Sequence, residues 1–410
     1  MDAVISGNKN LTESGLLAGT RVTMLTPMPV ESDSRIHKEC QALKQAGAEV
    51  TVISLGTDPA WTSPYFRSVS VPFPPTRQIP QGAQVSVIAS PFRKAGGFLR
   101  QKAHETAIRA ALDRHPADIY HAHDLPSLLY IQPHVTKTNH PFIYDSHEIW
   151  LQLPGTDIRS SDYRRLSVAE AAGIRDAASF ITVSPCYAEY FARTYQCEPP
   201  SIIANAPTEM AEQATEVHRP VRLLSQSNPR PETNDESLVR AMQYLRGTAV
   251  LTIQGGLKGN DYITYLRELV QAEGLGDCVF FSGEYVPEQS VLIAQDHDIG
   301  VAVYPVDSSS FDLTLPIRFF VYMAAGLAMA MPPATAFRAF PGFSEFGITL
   351  GGVSPQEIAH SLMMLLGDRN QITRMKQRSL EHGRQWTWDR QAARLVELYA
   401  QVLRDRQRYE

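Results

Sequence analysis

Apolar residues along the chain follow two alternating periods, which predicts alternating β-strands and α-helices. Short apolar runs at residues 21–26 and 49–55 predict strands, and residues 33–45 between them carry the apolar face of a helix. This helix is expected to begin at a cap formed by Asp33 or Ser34. The strand–helix–strand order recurs, and it is typical of a parallel sheet covered by helices on both faces.

The alternation continues along the chain with one interruption. Further strands are predicted at residues 118–122, 141–145, 180–183, 201–204, 221–225, 249–254, 279–282, 299–304 and 327–330. The passage at residues 206–219 is polar and helix-poor, and it divides these strands into two groups. We therefore predict an α/β protein with two doubly wound, Rossmann-like parallel-sheet domains that face a cleft.

This organisation predicts the domain boundaries. The predicted parts are a flexible N-terminal tail at 1–19, a first Rossmann-like domain at 20–205, a linker at 206–219, a second Rossmann-like domain at 220–385, and a C-terminal helix at 386–410 that packs back toward the first domain. Ligands of such sheets bind beyond the carboxyl ends of the strands, so polar residues at these ends are the first candidates for a site.

Composition narrows the class of protein. A chain of 410 residues is long enough for two domains, and its net charge of −5 argues against a general nucleic-acid binder. The four cysteines form no Cys-x-x-Cys pair, which indicates buried thiols in a reducing compartment. No apolar run approaches the roughly 18 residues of a membrane span. We therefore expect a cytoplasmic protein without a signal peptide.

A segment of the second domain carries a family signature. Residues 315–326 read Leu-Pro-Ile-Arg-Phe-Phe-Val-Tyr-Met-Ala-Ala-Gly. This resembles the motif Leu-Pro-x-Lys-x-x-Glu-Tyr-Met-Ala-Ala-Gly of the GT-B glycosyltransferases of family four, which retain configuration and use nucleotide sugars. Shorter matches occur in the order of that family at residues 33–39, 121–124, 144–148, 183–185, 205–207, 253–256 and 279–283. The resemblance covers most of the chain from residue 21 onward.

The resemblance implies a GT-B fold and the transfer of a sugar from a nucleotide diphosphate donor to a hydroxyl acceptor. Arg318 matches the lysine of the motif, whereas Leu313 and Val321 stand where the family has two glutamates. A valine cannot accept hydrogen bonds from ribose hydroxyls. Asp312 is the nearest carboxylate that could replace the first glutamate.

The donor diphosphate requires positive charge or helix N-terminal amides. Asn228 and Thr233 occupy the positions of the family's arginine and lysine, so Arg230 and Lys258 are the alternative sources of charge. Either could equally be a solvated loop residue. The residues expected at the donor are Arg230, Lys258, Asp312, Leu315, Pro316, Arg318 and Val321.

Two pairs of polar residues follow apolar strands of the first domain. His123 with Asp124, and His147 with Glu148, are the catalytic candidates, because imidazole and carboxylate groups can hydrogen-bond sugar or acceptor hydroxyls. The resemblance implies that His123 lies near the transferred sugar. The alternative is a loop histidine that caps a helix. We expect no metal site, since His121 and His123 are taken to face opposite sides of their strand.

Two further segments have two interpretations each. Residues 33–39 would place Arg35 at the floor of the cleft, or would form a capped helix with a solvated basic face. Residues 91–102 mix basic and aromatic side chains. This stretch would contact anionic lipid or a lipid-linked acceptor at the inner face of the membrane, or would be a solvated helix start.

The leading hypothesis is a retaining glycosyltransferase that needs no cofactor besides its nucleotide-sugar co-substrate, acting in the biosynthesis of a glycan, a polysaccharide or a glycosylated metabolite. The alternative is a catalytically silent glycosyltransferase-like protein that stabilises an active partner glycosyltransferase. It is motivated by four departures from the family pattern around the donor, at Asn228, Thr233, Leu313 and Val321. A nucleotide-sugar epimerase of the same fold is a third, weaker hypothesis.

Overall fold

The computed structural model describes residues 15–31, 33–72, 95–256 and 260–409, which form two α/β domains. The first contains a seven-stranded sheet in the order β3-β2-β1-β4-β5-β6-β7, and its neighbouring strands are all parallel. Its strands are β1 (Arg21–Thr26), β2 (Glu49–Leu55), β3 (Arg67–Val71), β4 (Ile119–His123), β5 (Phe142–Ser146), β6 (Ser179–Thr182) and β7 (Ser201–Ile202).

The second domain contains a six-stranded parallel sheet in the order β10-β9-β8-β11-β12-β13. Its strands are β8 (Val221–Gln226), β9 (Ala249–Gln254), β10 (Val279–Gly283), β11 (Ile299–Val301), β12 (Ala328–Met331) and β13 (Gly347–Thr349). Both sheets have the order of a doubly wound fold, in which the chain reverses direction next to the first strand. The predicted fold class is confirmed.

Helices cover both faces of each sheet. Those of the first half are α1 (Ser34–Gln45), α2 (Ala95–Arg114), α3 (Asp124–Thr138), α4 (Ser161–Asp176) and α5 (Pro185–Tyr195). Those of the second half are α6 (Asp235–Leu245), α7 (Asp261–Ala272), α8 (Ser290–Gln295), α9 (Ser309–Leu313), α10 (Ile317–Ala325), α11 (Thr335–Ala339), α12 (Phe343–Phe346), α13 (Pro355–Leu366), α14 (Arg369–Gly383) and α15 (Trp388–Tyr409). None of the helices that the structure describes is long and apolar enough to cross a bilayer.

Two strands lie where the apolar pattern predicts none. β3 reads Arg-Ser-Val-Ser-Val and pairs only with β2, at the edge of the first sheet. β13 has three residues and lies at an edge of the second sheet. An edge strand can be polar or short because it is covered less completely than a central strand, so its apolar signal is weak. The central strands β4 and β5 are buried throughout.

The C-terminal helix packs on the first domain. Trp388 and Tyr399 of α15 are buried in one apolar cluster with residues of α1 and β1. The amide of Trp388 donates to the carbonyl of Pro207 (2.9 Å), close to the point where the chain leaves the first domain. The ammonium of Lys38 on α1 lies 4.9 Å from the centre of the Trp388 ring and donates to the Asn205 side chain at 2.6 Å. The two chain segments that connect the domains therefore lie next to each other beside α1.

Candidate active site between the two sheets

A group of charged side chains lies at the carboxyl end of the first sheet. In the pairing of β4 with β5, His123 is opposite Asp145, and α1 brings Glu39 to the same place from beside β1. Each of Glu39, His121, His123 and Asp145 is fully buried. We call these four residues the strand-end cluster.

The two histidines of this cluster lie on one face of β4. Their rings are stacked, with centroids 4.1 Å apart and planes at 21°. Residues two apart in a strand point to the same face, because the side-chain period of a strand is two. The expectation that His121 and His123 face opposite sides was therefore wrong, and so was the geometric argument against a metal site there.

Arg35 lies at the floor of the cleft and is only 2% exposed. Its guanidinium is 2.7 Å from Asp145 Oδ2 and 2.8 Å from Glu39 Oε1, and it donates to the carbonyl of Ile203. The Asp33 side chain caps α1 by accepting from the amides of Arg35 and Ile36. The hypothesis of a solvated basic face is wrong for Arg35, which instead neutralises two buried carboxylates.

His147 links the strand-end cluster to the cleft. Its backbone amide donates to Asp124 Oδ1 (2.8 Å), and its Nε2 atom lies 3.3 Å from Asp145 Oδ2. Burial opposes the charged ring, but the carboxylates of Asp124 and Asp145 raise the pKa of His147 to about 9. The His147 side chain is 19% exposed, whereas His123 is buried beneath it, with its Nδ1 atom 3.3 Å from His147 Nε2. Of the two, His147 is the one that a ligand can reach.

Glu148 follows β5 and is exposed at the cleft. Its Oε2 atom lies 3.3 Å from Ser310 Oγ, which belongs to the second domain, and 3.4 Å from Tyr187 Oη. The protein atoms around the carboxylate, together with the charge of Asp124, raise the pKa of Glu148 to about 7. Glu148 is thus a carboxyl group that titrates near neutral pH at the domain boundary.

Helix α9 of the second domain docks on the first domain at this point. The Tyr187 hydroxyl donates to the carbonyl of Ser310 (3.2 Å), and Ser184 Oγ donates to the carbonyl of Leu313 (3.3 Å). The side chain of Leu313 packs against the apolar core of the first domain. Leu313 therefore serves as an interdomain contact at the position where the related family has a glutamate.

The loops at the carboxyl end of the second sheet are tied together. The amide of Ser227 donates to the carbonyl of Gln254, and that of Gly255 donates to the carbonyl of Gly283, both at 2.9 Å. A Cβ atom on Gly255 would lie 1.6 Å from the carbonyl oxygen of Ser227, and φ of Gly255 is +113°. Only glycine allows this close approach of two loops.

The loop after β8 contains Arg230 and Thr233. Arg230 is half-buried, and its Nε atom is 3.8 Å from Glu232. The hydroxyl of Thr233 donates to the carbonyl of Arg230 (2.7 Å) and also contacts the buried carboxylate of Asp235. Thr233 thus shapes the loop instead of supplying the charge that the resemblance would place there. Lys258 lies outside the described residues.

The remaining donor candidates lie in helix α10 or directly before it, and they differ in how deeply they are buried. Pro316 caps the start of α10, and Arg318 in its first turn is half-buried and close enough to lower the pKa of Asp235, although burial raises that pKa overall. Leu315 and Val321 are 5% and 3% exposed and lie in the apolar core of the second domain. Of these residues, Arg318 is the one whose charge is available to a ligand.

Asp312 has a structural partner. Its Oδ1 atom accepts a hydrogen bond from the amide of Thr335 (2.8 Å), at the first residue of α11. A carboxylate at this place stabilises the start of the helix. The carboxylate could turn toward a ligand only by giving up this contact.

Three residues of the site carry no signal in the sequence. Tyr399 places its hydroxyl 2.6 Å from His121 Nδ1, from a helix 278 residues further along the chain. Tyr187 and Ser310 form the contact around Glu148. Tyrosine and serine are common in any helix, so only the assembled structure identifies these three.

Comparisons with known proteins agree with this architecture. Residues 33–207 match the glycosyl transferase 4-like domain family. D-inositol 3-phosphate glycosyltransferase of Corynebacterium urealyticum is 29% identical over 134 residues, which are 33% of this chain and 30% of that protein. The match thus spans less than a third of that relative's length.

Solved structures of other proteins, including the following two, share the fold over nearly the whole chain. Sucrose-phosphate synthase from Thermosynechococcus elongatus superposes with a TM-score of 0.73 at 16% identity, covering 94% of this chain and 100% of that one. Anabaena Alr3699/HepE, in complex with UDP and glucose, superposes with a TM-score of 0.64 at 14% identity, covering 94% and 99%. Residues 33–207 thus resemble a glycosyl transferase 4-like domain, and the chain has the two-domain GT-B fold.

Proposed function

We propose that this protein transfers a sugar from a nucleotide diphosphate donor to a hydroxyl acceptor, with retention of configuration. The contact of Glu148 with Ser310 carries the proposal, because it joins the carboxyl ends of the two sheets at one cleft. In open α/β sheets, ligands bind at these ends. The first domain would hold the acceptor and the second domain the nucleotide.

Arg318 and Arg230 would neutralise the diphosphate on the donor side. Arg318 lies in the first turn of α10, where backbone amides also favour an anion. Lys258 remains a third candidate for this charge. Since arginine forms charge-assisted hydrogen bonds with phosphate, no metal ion is needed to bind the donor in this proposal. The UDP complex of the similarly folded Anabaena protein supports a nucleotide ligand.

His147, Asp124 and Glu148 would act on the acceptor side. Glu148, with a pKa of about 7, would accept the proton of the acceptor hydroxyl, and His147 would hydrogen-bond the transferring sugar. The buried His123 would position His147 through their contact of 3.3 Å. Docking of α9 beside Glu148 would exclude water from the reacting atoms.

The silent-partner hypothesis has its own support. Both positions at which the family has donor-site glutamates are apolar here, and both Leu313 and Val321 are packed into cores. A protein with these contacts would keep the GT-B architecture without holding the ribose of a donor. Its prediction is co-purification with a second glycosyltransferase that has the complete motif.

Calorimetric titration with UDP, GDP, ADP, UDP-glucose and GDP-mannose tests the enzyme proposal. We expect saturable binding of at least one nucleotide, weakened by about 10- to 100-fold in Arg318→Ala, because a charge-assisted contact with phosphate is lost. Arg374→Ala, an exposed arginine on α14, is the matched control and should bind as the wild type does. If no member of the panel binds, the enzyme proposal fails and the silent-partner hypothesis gains support.

Retention and the acceptor require separate measurements. The anomeric configuration of the product, followed by proton NMR, should equal that of the donor sugar. A cytoplasmic location and a lipid-linked acceptor at the membrane surface also belong to the proposal. The lipid-linked acceptor is motivated by the basic and aromatic stretch at 91–102, which begins outside the described residues and continues into α2. Co-sedimentation with anionic but not neutral vesicles would support contact with the membrane surface.

A further inference from the structure

The strand-end cluster joins four metal-ligating groups in one buried place. One ligand atom from each of Glu39, His121, His123 and Asp145 lies within 4.8 Å of those of the other three. The residues come from α1, β4 and β5, so the arrangement depends on the tertiary structure. Every one of the four is 0% exposed.

The cluster also concentrates polar atoms without partners. Glu39 Oε2, His121 Nε2, His123 Nε2 and Asp145 Oδ1 form no hydrogen bond with any described residue. The contacts of the two imidazole atoms with carboxylates are long: His121 Nε2 is 3.6 Å from Asp145 Oδ2, and His123 Nε2 is 3.9 Å from Glu39 Oε2. Buried polar atoms are nearly always hydrogen-bonded, so four such atoms in one place call for a ligand.

The other nitrogen of each histidine and the other oxygen of Asp145 already have partners. His121 Nδ1 is 2.6 Å from the Tyr399 hydroxyl, and His123 Nδ1 is 3.3 Å from His147 Nε2. Arg35 and His147 approach Asp145 Oδ2 at 2.7 and 3.3 Å, whereas Asp145 Oδ1 has no hydrogen bond with any described residue. A histidine that binds a metal through one nitrogen usually has its other nitrogen fixed by such a partner.

The charges around the cluster suit a divalent cation. Glu39 and Asp145 are carboxylates of the cluster, and Asp124 adds a third carboxylate through its contact with His147. The charge of Asp124 compensates that of protonated His147, so with neutral His121 and His123 the carboxylates of Glu39 and Asp145 supply two negative charges for a doubly charged ion. Two carboxylates beside the ion reduce the large cost of burying its charge.

We propose that Glu39, His121, His123 and Asp145 bind one divalent transition-metal ion, with Zn²⁺ as the leading candidate. Two imidazole nitrogens and two carboxylate oxygens are a ligand set that Zn²⁺ accepts in tetrahedral geometry. Imidazole ligands disfavour Mg²⁺ and Ca²⁺, which prefer oxygen. The ion would join α1 to β4 and β5 below His147, at the floor of the cleft. It lies in the first domain and plays no part in binding the donor.

The proposal is tested on the full-length protein stripped with EDTA and dialysed against ZnCl₂ or CoCl₂. We expect about one ion per chain by mass spectrometry of the metal, and a visible absorption band when Co²⁺ is bound. His123→Ala and the nearly isosteric Glu39→Gln should each weaken Zn²⁺ binding by more than about 100-fold. His134→Ala is the matched control, a histidine of α3 that hydrogen-bonds the Tyr120 hydroxyl outside the cluster.

Three outcomes decide the proposal. Loss of the ion in both cluster variants with retention in His134→Ala supports it. Failure of the stripped wild-type protein to take up Zn²⁺ or Co²⁺ overturns it, as does undiminished binding by folded Glu39→Gln. If a variant does not fold, the stripped wild-type protein is tested instead. Added Zn²⁺ should raise its thermal midpoint, because a ligand that binds only the folded state stabilises that state. An unchanged midpoint would overturn the proposal. These readouts are independent of glycosyl transfer.

Discussion

Each domain contains a group of buried charged side chains, one at the carboxyl end of the first sheet and one at the amino end of the second. The two groups differ in how completely their polar atoms are hydrogen-bonded. In the second domain, Lys376 and Asp298 are both fully buried, with Nζ 2.8 Å from Oδ1. Lys376 also donates to Thr215 Oγ1 and to the carbonyl of His297, while Asp298 accepts from the amides of His218 and Arg222. Every donor of the ammonium group thus has an acceptor.

The strand-end cluster of the first domain has the same kinds of group but leaves four polar atoms without partners. Asp298 lies immediately before β11, at the amino end of its sheet, whereas the cluster lies at the carboxyl end of the other sheet. Burial of charge alone therefore does not mark a functional site. Unused hydrogen-bonding capacity at a carboxyl edge does, because that edge is where ligands bind.

The largest expected effect is a loss of stability when the Lys376–Asp298 ion pair is broken. Lys376→Met should lower the free energy of unfolding by about 3–5 kcal/mol, because it leaves the Asp298 carboxylate buried without its counter-charge. Urea unfolding of the full-length chain measures this loss. Arg374→Met, an exposed change on the same helix, should cost less than about 0.5 kcal/mol. A loss in Lys376→Met no greater than that of the control would remove the contrast between the two regions.

Glu148→Gln should have the opposite signature, with activity lost and stability kept. The release of nucleoside diphosphate from the bound donor should fall by about 100-fold or more, since Glu148 would no longer accept a proton. Glu189→Gln, an exposed carboxylate of α5, is the control. Full activity in folded Glu148→Gln would assign Glu148 to the interdomain contact alone.

The pH dependence gives a further test of Glu148. Its pKa of about 7 is raised above that of a free glutamate, so the carboxylate is charged only above neutral pH in the folded protein. If the charged form acts as the base, the rate should rise with pH through about 7, and this rise should be absent in Glu148→Gln. A wild-type rate that stays constant between pH 5.5 and 8.5 (roughly 1.5 units on each side of that pKa) would contradict the assignment.

The smallest expected effect concerns an outer partner of the cluster. Tyr399→Phe removes the hydroxyl that lies 2.6 Å from His121 Nδ1 and should lower the free energy of unfolding by about 1 kcal/mol. Zn²⁺ affinity should fall by about 10-fold, because the orientation of the His121 ring is less fixed. Tyr244→Phe, which alters an exposed hydrogen bond with Gln356, is the control for both measurements. Unchanged Zn²⁺ affinity would show that Tyr399 serves only the packing of α15.

Much of the fold could be predicted because its signals are local. The apolar runs of β1, β2, β8 and β9 and the Asp33 cap of α1 depend on residues close together in the chain. The predicted fold class follows from their alternation. The polar edge strand β3 was missed because a half-covered strand needs no continuous apolar run.

The candidate site could be predicted only in part. The side-chain period of two already places His121 and His123 on one face of β4, so that alignment was available from the sequence. The burial of Arg35 was not, because the same residues suit a solvated helix until Asp145, 110 positions away, comes to lie beside them. The docking of Leu313 on the first domain likewise depends on how the two domains meet.

By itself, the sequence determined the two parallel-sheet domains, the strand ends that carry polar residues, and the apolar residues at the two positions where the related family has glutamates. These follow from local periodicity and from the identity of single residues. Only the tertiary structure decided which charges are buried, which are paired, and which atoms are left facing one another. Burial and pairing depend on side chains that are distant in sequence, as Tyr399 beside His121 shows.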